Sequence, residues 1–315
     1  MTAIAIRALD LVRDFGPVRA LDRLSLEIPS GIVFGFLGPN GAGKTTAIRT
    51  FLGLVEPTAG RAEVFGMDAW RDGAAVRAKS GALLEHNGLY ERLSAEQNLE
   101  FFGRAWRISR AARRARSREL LEQFGLWDRR TDLVATWSRG MKQKLAVART
   151  VLHRPPLIFL DEPTAGLDPV ASASLRDDLA VLSSQEGTTI FLTTHNLAEA
   201  ERLCSLIGVI RNGRLVALGS PTELRGQQTG NDVRIVARSA VDLMPALGAE
   251  VGVTAVRPDN GGWVVSLVPG ASPAPVVRWL VERGADVEEC HRSIVSLEDA
   301  FLDIVKSEPE PQRTR

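Results

Sequence analysis

The chain has 315 residues, of which 44% are hydrophobic and 24% charged, which is typical of about two globular domains and excludes a wholly disordered chain. Its 39 basic and 38 acidic residues give a net charge of +1, which argues against coating nucleic acid by bulk charge. Its two cysteines are too few for a disulfide framework, and charges in the N-terminal segment argue against a signal peptide. An apolar run of about 18 residues, which a membrane span needs, is missing, so we expect a cytoplasmic protein.

The first two thirds of the chain are predicted to alternate strands and helices. Apolar alternation or continuous apolar runs predict strands over residues 4–11, 20–28, 32–37, 157–160 and 188–193. Helical spacing of apolar residues predicts helices within residues 44–54, 94–127 and 139–153. This alternation indicates an α/β fold with a mainly parallel sheet.

The composition changes near residue 220, which indicates a second domain. A polar segment with proline and glycine predicts a linker over 223–231. Residues 232–306 then read as strand, helix, strand, strand, helix, strand and a last helix over 296–305, followed by a tail at 307–315. This order is typical of a small ferredoxin-like α+β domain. We therefore predict a first domain over 1–222, with a helical insert over about 86–150, and a small C-terminal domain.

A glycine-rich segment predicts a phosphate site. It reads Gly38-Pro39-Asn40-Gly41-Ala42-Gly43-Lys44-Thr45-Thr46 and matches the P-loop pattern in full, between a predicted buried strand and a helix. Glycines let backbone N–H groups converge on phosphate oxygens, and the helix N-terminus adds positive potential. We expect Lys44 to bind the β- and γ-phosphates and the Thr45 hydroxyl to bind Mg²⁺. The alternative, a turn that only caps a helix, is disfavoured by the Lys-Thr pair.

Two acids follow the predicted buried strand 157–160. Asp161 and Glu162 stand at its carboxyl end, where open α/β sheets bind their ligands. We expect Asp161 to hold Mg²⁺, and Glu162 to act as the general base on the water that attacks the γ-phosphate. The alternative is a solvated strand end or helix cap, which the upstream P-loop disfavours.

Further segments resemble one family, the ABC transporter ATPases. The run Trp137-Ser138-Arg139-Gly140-Met141-Lys142-Gln143-Lys144 resembles the family's signature motif. Ala165-Gly166-Leu167-Asp168 resembles its D-loop, and Thr193-Thr194-His195 its histidine switch. Phe15 occupies the position of the family's adenine-stacking aromatic residue. The resemblance covers about residues 1–225, and Ser296-Leu297-Glu298-Asp299-Ala300-Phe301 extends it to exporters of the daunorubicin/doxorubicin-resistance type.

The resemblance implies a homodimer that binds two ATP molecules with Mg²⁺ and drives a separate transmembrane permease from the cytoplasmic face of the membrane. Each site would combine one chain's P-loop with the partner's signature, where Ser138, Arg139 and Gly140 bind the γ-phosphate. Asp168 would join the nucleotide site from the D-loop. His195 would contact the γ-phosphate and orient the attacking water together with Glu162.

The sequence departs from the family pattern at two places. Glu85 aligns with the Q-loop position where glutamine is usual, so a carboxylate would approach the nucleotide and Mg²⁺. We expect this site to remain active. Arg139 and Met141 stand where glycine and glutamine are commoner in the signature, and an arginine beside a γ-phosphate is compatible with anion binding.

A cluster of arginines lies on the predicted helical insert. It comprises Arg104, Arg107, Arg110, Arg113, Arg114, Arg116 and Arg118. A basic helix could contact anionic lipid or nucleic acid. A solvated face with acids close by is the favoured interpretation.

Three functions fit the motifs. We favour the ATPase of an exporter of a drug, an antibiotic or a lipid-like substrate, because of the C-terminal resemblance and Glu85. The alternatives are the ATPase of an importer and a soluble ATPase of this family acting on DNA or ribosomes. A single motif set without sustained heptads disfavours the soluble enzyme, so no nucleic-acid partner is expected.

Overall fold

The computed structural model describes residues 3–226, 232–238, 243–248, 250, 252–259, 262–268 and 270–292. They form two compact units, which divide between Pro221 and Thr222. No helix in these ranges is long and apolar enough to cross a membrane. The predicted helix 296–305, the Ser296–Phe301 segment and the tail 307–315 lie outside the described residues.

The larger unit contains two sheets. Its strands are β1 (Ile4–Phe15), β2 (Val18–Pro29), β3 (Val33–Leu37), β4 (Ala59–Val64), β5 (Met67–Asp68), β6 (Ser80–Leu83), β7 (Leu157–Asp161), β8 (Thr189–Thr194), β9 (Leu206–Arg211) and β10 (Arg214–Gly219). One sheet is antiparallel with the order β2-β1-β4-β5, and the other has the order β10-β9-β3-β8-β7-β6. In the second sheet only the pairing of β10 with β9 is antiparallel. The predicted α/β class with a mainly parallel sheet is confirmed.

Helices connect these strands. They are α1 (Lys44–Phe51), α2 (Gly73–Ala78), α3 (Ala95–Ala105), α4 (Arg110–Gln123), α5 (Arg139–Thr150), α6 (Pro169–Glu186) and α7 (Leu197–Leu203). A further helix, α8 (Pro221–Gly226), follows β10 and belongs to the smaller unit from Thr222 onward. The predicted helical stretch 94–127 is two helices, because α3 ends before Arg107, which has a positive φ of 55°, and Ser109 caps α4. The predicted linker 223–231 is wrong at its start, since 223–226 belong to α8.

The core of the parallel sheet is aromatic. Every residue of β3 and β8 is buried, as expected for strands covered on both faces. The ring of Phe191 on β8 lies 5.1 Å from that of Phe34 on β3 and 5.5 Å from that of Phe159 on β7. These contacts join three neighbouring parallel strands.

Most of the predicted arginine cluster is paired with acids. Arg104 and Arg113 bind Glu100, and Arg118 binds Glu122. The buried Arg116 guanidinium makes two hydrogen bonds, of 2.8 and 2.9 Å, to Glu186 of α6. These contacts favour the interpretation of a face compensated by acids, and Arg116 also joins α4 to α6.

The smaller unit has the predicted order of elements. They are β11 (Asp232–Arg238), α9 (Met244–Leu247), β12 (Val253–Asp259), β13 (Gly262–Leu267), α10 (Ala274–Glu282) and β14 (Asp286–Arg292). The sheet is antiparallel with the order β12-β13-β11-β14, which is the ferredoxin-like arrangement. Ile235, Val265 and Leu280 lie in its apolar core.

One partly buried histidine connects the helical segment to the parallel sheet. The His153 ring stacks on Trp106 with centroids 3.7 Å apart, and its Nε2 lies 3.2 Å from the Ser80 carbonyl oxygen of β6. Burial lowers the pKa of His153 from 6.5 to about 4. The imidazole is therefore neutral in the folded protein at neutral pH.

This lowered pKa makes part of the stability dependent on pH. The unfolded chain binds the proton more tightly, so the full stability is present above pH 6.5 and is lost as pH falls toward the folded pKa of about 4. Between about pH 7 and pH 5 we expect the native protein to lose about 2 kcal/mol more unfolding free energy than His153→Phe, which keeps an aromatic ring on Trp106. Urea unfolding at the two pH values measures this difference. Equal losses in both proteins would contradict the lowered pKa of His153.

Candidate functional site

The order β3-β8-β7 brings three loops to one edge of the sheet. The predicted P-loop follows β3, Asp161 ends β7, and His195 follows β8. These segments are far apart in sequence, and parallel pairing aligns their carboxyl ends.

The P-loop depends on glycine at its last turn. Gly43 precedes α1 with a φ of 108°, a conformation that side chains rarely adopt. A Cβ there would lie 2.4 Å from the Ala20 carbonyl oxygen of β2. The chain can therefore pass close to β2 and begin α1 at Lys44 only with glycine at this position.

Lys44 lies across the P-loop and is only 6% exposed. Its Nζ donates hydrogen bonds of 2.8 Å to the Gly38 carbonyl and 3.2 Å to the Pro39 carbonyl. The same nitrogen lies 3.5 Å from Oε1 of Glu162. A buried cation is thus held within reach of the loop's backbone and of one acid of the pair.

Asp161 is fixed by two hydroxyl groups. Thr45 Oγ1 donates to its Oδ2 at 2.6 Å, and Thr193 Oγ1 of β8 donates to its Oδ1. The carboxylate of β7 is thereby joined to the P-loop helix on one side and to β8 on the other.

Glu162 leaves the strand conformation, so both acids face the same site. Its φ is 49°, and its N–H donates to the carbonyl and the hydroxyl of Thr193 at 3.1 and 3.0 Å. Its carboxylate lies between Lys44 Nζ and Nδ1 of His195, the second at 3.1 Å from Oε2. Because a carboxylate only accepts hydrogen bonds, Nδ1 is the donor in this contact.

A cleft of about 500 Å³ opens beside these groups. Ten residues predicted for the site line it, namely Asn40, Gly41, Gly43, Lys44, Thr45, Thr46, Glu85, Arg139, Asp161 and Glu162. Gly38 and Pro39 shape the loop through their carbonyl contacts with Lys44. Ala42 is buried behind the loop.

Glu85 lines the cleft with its charge already compensated. Its Oε1 accepts a 2.8 Å hydrogen bond from Nη2 of Arg49 on α1, and its side chain is 58% exposed. This ion pair reduces the repulsion that a carboxylate at the Q-loop position would exert on phosphates. A role of Glu85 in holding Mg²⁺ stays a prediction.

The other predicted residues do not line the cleft. Ser138 caps α5 by accepting from the Met141 N–H at 3.3 Å. Asp168 caps α6 by accepting from the N–H groups of Val170 and Ala171 at 3.0 and 2.9 Å. Phe15 is 45% exposed, with the Arg13 guanidinium 4.3 Å from its ring centre. One face of the Phe15 ring is therefore already covered.

The signature segment packs on the D-loop of the same chain. A Cβ on Gly166, which has a φ of 68°, would lie 2.3 Å from Nη1 of Arg139. A Cβ on Gly140 would lie 2.9 Å from Cβ of Ala171. Glycine at both positions permits this approach of the two segments.

Two site residues had no role in the sequence interpretation. The Thr193 hydroxyl binds both Asp161 and the Glu162 N–H, and its position next to the Thr-His pair was the available signal. Gln143 lines the cleft and donates to the Pro163 carbonyl at 2.7 Å, one helical turn after Arg139. Neither contact could be located without the strand order.

The arrangement suits a ligand with several phosphates. A P-loop backbone and a buried ammonium group supply positive potential, and oxygen donors from Thr45 and Asp161 stand beside them. A carboxylate and an imidazole in contact supply an acid–base pair.

Comparison with known proteins finds two family models that match parts of the chain, and a solved structure from the first of these families. The family described as "ABC transporter" matches residues 21–165. The family described as "AAA domain, putative AbiEii toxin, Type IV TA system" matches residues 131–201. A solved structure of an ATP-binding subunit of an ABC transporter is 33% identical, with a TM-score of 0.64, and the match covers 71% of this chain and 92% of that one.

Two relatives match at higher identity. The bacitracin transport ATP-binding protein BcrA of Bacillus licheniformis is 38% identical over 67% of this chain and 68% of its own length. The daunorubicin resistance ATP-binding protein DrrA3 of Streptomyces coeruleorubidus is 39% identical over 96% of this chain and 95% of its own length. Identity at this level over almost the whole of both chains shows that this protein belongs to the ABC transporter family, among its subunits that bind and hydrolyse ATP.

Proposed function

We propose that this ATPase works as a homodimer that drives export through a separate transmembrane permease. The observation that carries the ATPase part of the proposal is the contact of Glu162 with both Lys44 and His195 beside the P-loop. The printed names of the relatives, daunorubicin resistance and bacitracin transport, support a drug, an antibiotic or a lipid-like molecule as cargo. The larger unit carries the ATPase role.

The P-loop would bind the phosphates of ATP through its backbone N–H groups and Lys44. Thr45 Oγ1 and Asp161 Oδ2 lie 2.6 Å apart, and hydroxyl and carboxylate oxygens are the donors that Mg²⁺ takes in proteins. These residues therefore fit the ion. When bound there, Mg²⁺ would supply charge neutralisation on the phosphate oxygens.

Glu162 is the general base in this proposal. Its carboxylate accepts the proton of the water that attacks the γ-phosphorus. The Nδ1–H of His195 donates to Oε2, so the imidazole restricts the orientation of the carboxylate. The Lys44 ammonium group, 3.5 Å from Oε1, places a positive charge beside this carboxylate.

The start of the signature segment supports a dimer, because Ser138 and Arg139 are exposed there. Ser138 and Gly140 do not line the cleft of their own chain, although they stand at the N-terminus of α5, a place that favours anions. In a head-to-tail dimer they would face the nucleotide of the partner chain. Arg139 at the same terminus adds a guanidinium group suited to the γ-phosphate.

Replacing the proposed base tests the chemistry. We expect Glu162→Gln to lower ATP turnover at least about 100-fold while ATP binding is retained, because the amide cannot accept the proton. Phosphate release and equilibrium ATP binding, measured on the purified chain, check both parts. Glu122→Gln is the matched control, because it neutralises an exposed carboxylate on α4 that is paired with Arg118. Sustained turnover by Glu162→Gln would remove this residue from the base role.

The same change at Glu85 should have little effect. Glu85 is half-exposed and already paired with Arg49, so its charge is not needed for proton transfer. We expect Glu85→Gln to keep turnover within about threefold, since exposed ion pairs contribute little. The same phosphate-release assay measures it beside Glu162→Gln. Complete loss of activity would instead place Glu85 among the essential groups.

The direction of transport can be measured in inside-out membrane vesicles that contain the chain and its permease. The ATP site faces the outer solution there, so ATP should drive uptake of a fluorescent anthracycline into the vesicles. Vesicles with Glu162→Gln control for passive entry. An ATP-dependent loss of preloaded drug, without uptake, would indicate an importer and contradict the proposal.

A further inference from the structure

One buried carboxylate next to the site has no part in the chemistry proposed above. Glu199 is the third residue of α7, and it is only 1% exposed. Its Oε2 accepts hydrogen bonds from Thr164 Oγ1 at 2.6 Å and from Thr194 Oγ1 at 3.2 Å. Its Oε1 has no hydrogen-bond partner within the described part of the chain. Burying a carboxylate oxygen without a hydrogen-bond partner costs free energy, so this burial calls for a specific role.

The two hydroxyl donors come from the two segments that meet at the site. Thr164 follows Glu162 by two residues, in the turn between β7 and α6. Thr194 ends β8 and directly precedes His195. One carboxylate oxygen thus joins the segment of the proposed base to the segment of the imidazole that contacts it.

His195 is held on both sides by groups connected to Glu199. On one side the Thr194 hydroxyl donates to the carboxylate and accepts from the Asn196 N–H at 2.9 Å. On the other, the Asn196 side chain accepts from the Glu199 N–H at 3.1 Å. His195 itself is exposed, so these neighbours, rather than burial, restrict its backbone.

We propose that Glu199 is a positioning residue that holds His195 in contact with Glu162. The inference rests on the proposed function, because it assigns Glu199 to the geometry of the same base. Without Glu199 the two segments lose their shared acceptor, so the contact between Nδ1 and Oε2 loses one of its constraints while the hydrogen bonds of the Glu162 N–H to Thr193 remain. Misplacement of a catalytic group by about 1 Å costs up to about 100-fold in rate, whereas Lys44 and the P-loop do not depend on Glu199.

Glutamine is the conservative substitution for testing this role, because only one carboxylate oxygen of Glu199, Oε2, accepts hydrogen bonds. Glu199→Gln can keep its amide oxygen between the two hydroxyls and put its NH₂ group at the place of Oε1. Glu199→Ala removes the acceptor altogether. If hydrogen bonding rather than charge is what matters, glutamine should rescue the function that alanine loses.

The test measures kcat and KM for ATP hydrolysis by the full chain. We expect Glu199→Ala to lower kcat about tenfold with KM within about twofold, and Glu199→Gln to stay within about twofold of the native kcat. Leu179→Ala, at a buried residue of α6 outside this hydrogen-bonded set, controls for lost stability. It should lower the melting temperature and leave kcat unchanged.

Thr164→Val covers the case in which Glu199→Ala does not fold. It deletes one donor, keeps the side-chain shape, and should lower kcat about threefold with KM retained. A native kcat in Glu199→Ala, or in Thr164→Val when the alanine variant does not fold, would overturn the inference. So would equal losses in Glu199→Ala and Glu199→Gln, or a loss confined to KM.

Glu162→Gln in the same assay separates this inference from the proposed function. If Glu162→Gln keeps turning over ATP, the assignment of the base itself fails. If Glu162→Gln is inactive while Glu199→Ala has native kcat, only the positioning role fails.

Discussion

The position of β8 between β3 and β7 is the constraint on which the site depends. Phe191 of β8 pairs in register with Phe34 on one side and Phe159 on the other, and their rings are in contact. A slip of one residue would turn every side chain of a strand to the opposite face and break this aromatic core. The same register aligns the ends of the three strands, so the hydrophobic core determines where the polar groups meet.

At that edge, neighbouring charges and hydroxyls hold one another in place. Lys44 would be costly to bury alone, and the carbonyls of Gly38 and Pro39 offset that cost together with Glu162. Asp161 has a hydroxyl donor on each oxygen, one from α1 and one from β8. The two adjacent acids therefore have different surroundings. Asp161 accepts hydrogen bonds from two neutral hydroxyls, whereas Glu162 lies between the Lys44 ammonium group and the His195 imidazole. These surroundings suit an ion-holding role for Asp161 and proton transfer for Glu162.

The sequence predicted the parts of this site that are local. The P-loop and the acids after β7 are continuous segments, and the β-α-β-β-α-β order of the smaller unit follows from its turns and apolar pattern. The strands β4 and β9 and the helices α6 and α7 were not predicted. β4 begins with three exposed residues, and its pairing with β1 comes from a strand about 50 residues away. Contacts such as Arg116 with Glu186, 70 residues apart, follow from tertiary packing and have no local signal.

The packing of α5 connects the signature to the proposed base of the same chain. Gln143 donates to the carbonyl of Pro163, the residue after Glu162, and Lys144 binds Ser174 and Asp178 of α6. Arg139 packs against Gly166 of the D-loop, and Gly140 packs against Ala171 at the start of α6. In the proposed dimer, the N-terminus of α5 would bind the partner's nucleotide. A displacement of α5 would then move Glu162 through the contact of Gln143 with Pro163. The segment of Glu162 is in turn joined to that of His195 by the hydrogen bonds of Thr164 and Thr194 to Glu199. The contacts that position one chain's base thus begin at the surface that would meet the other chain's ATP.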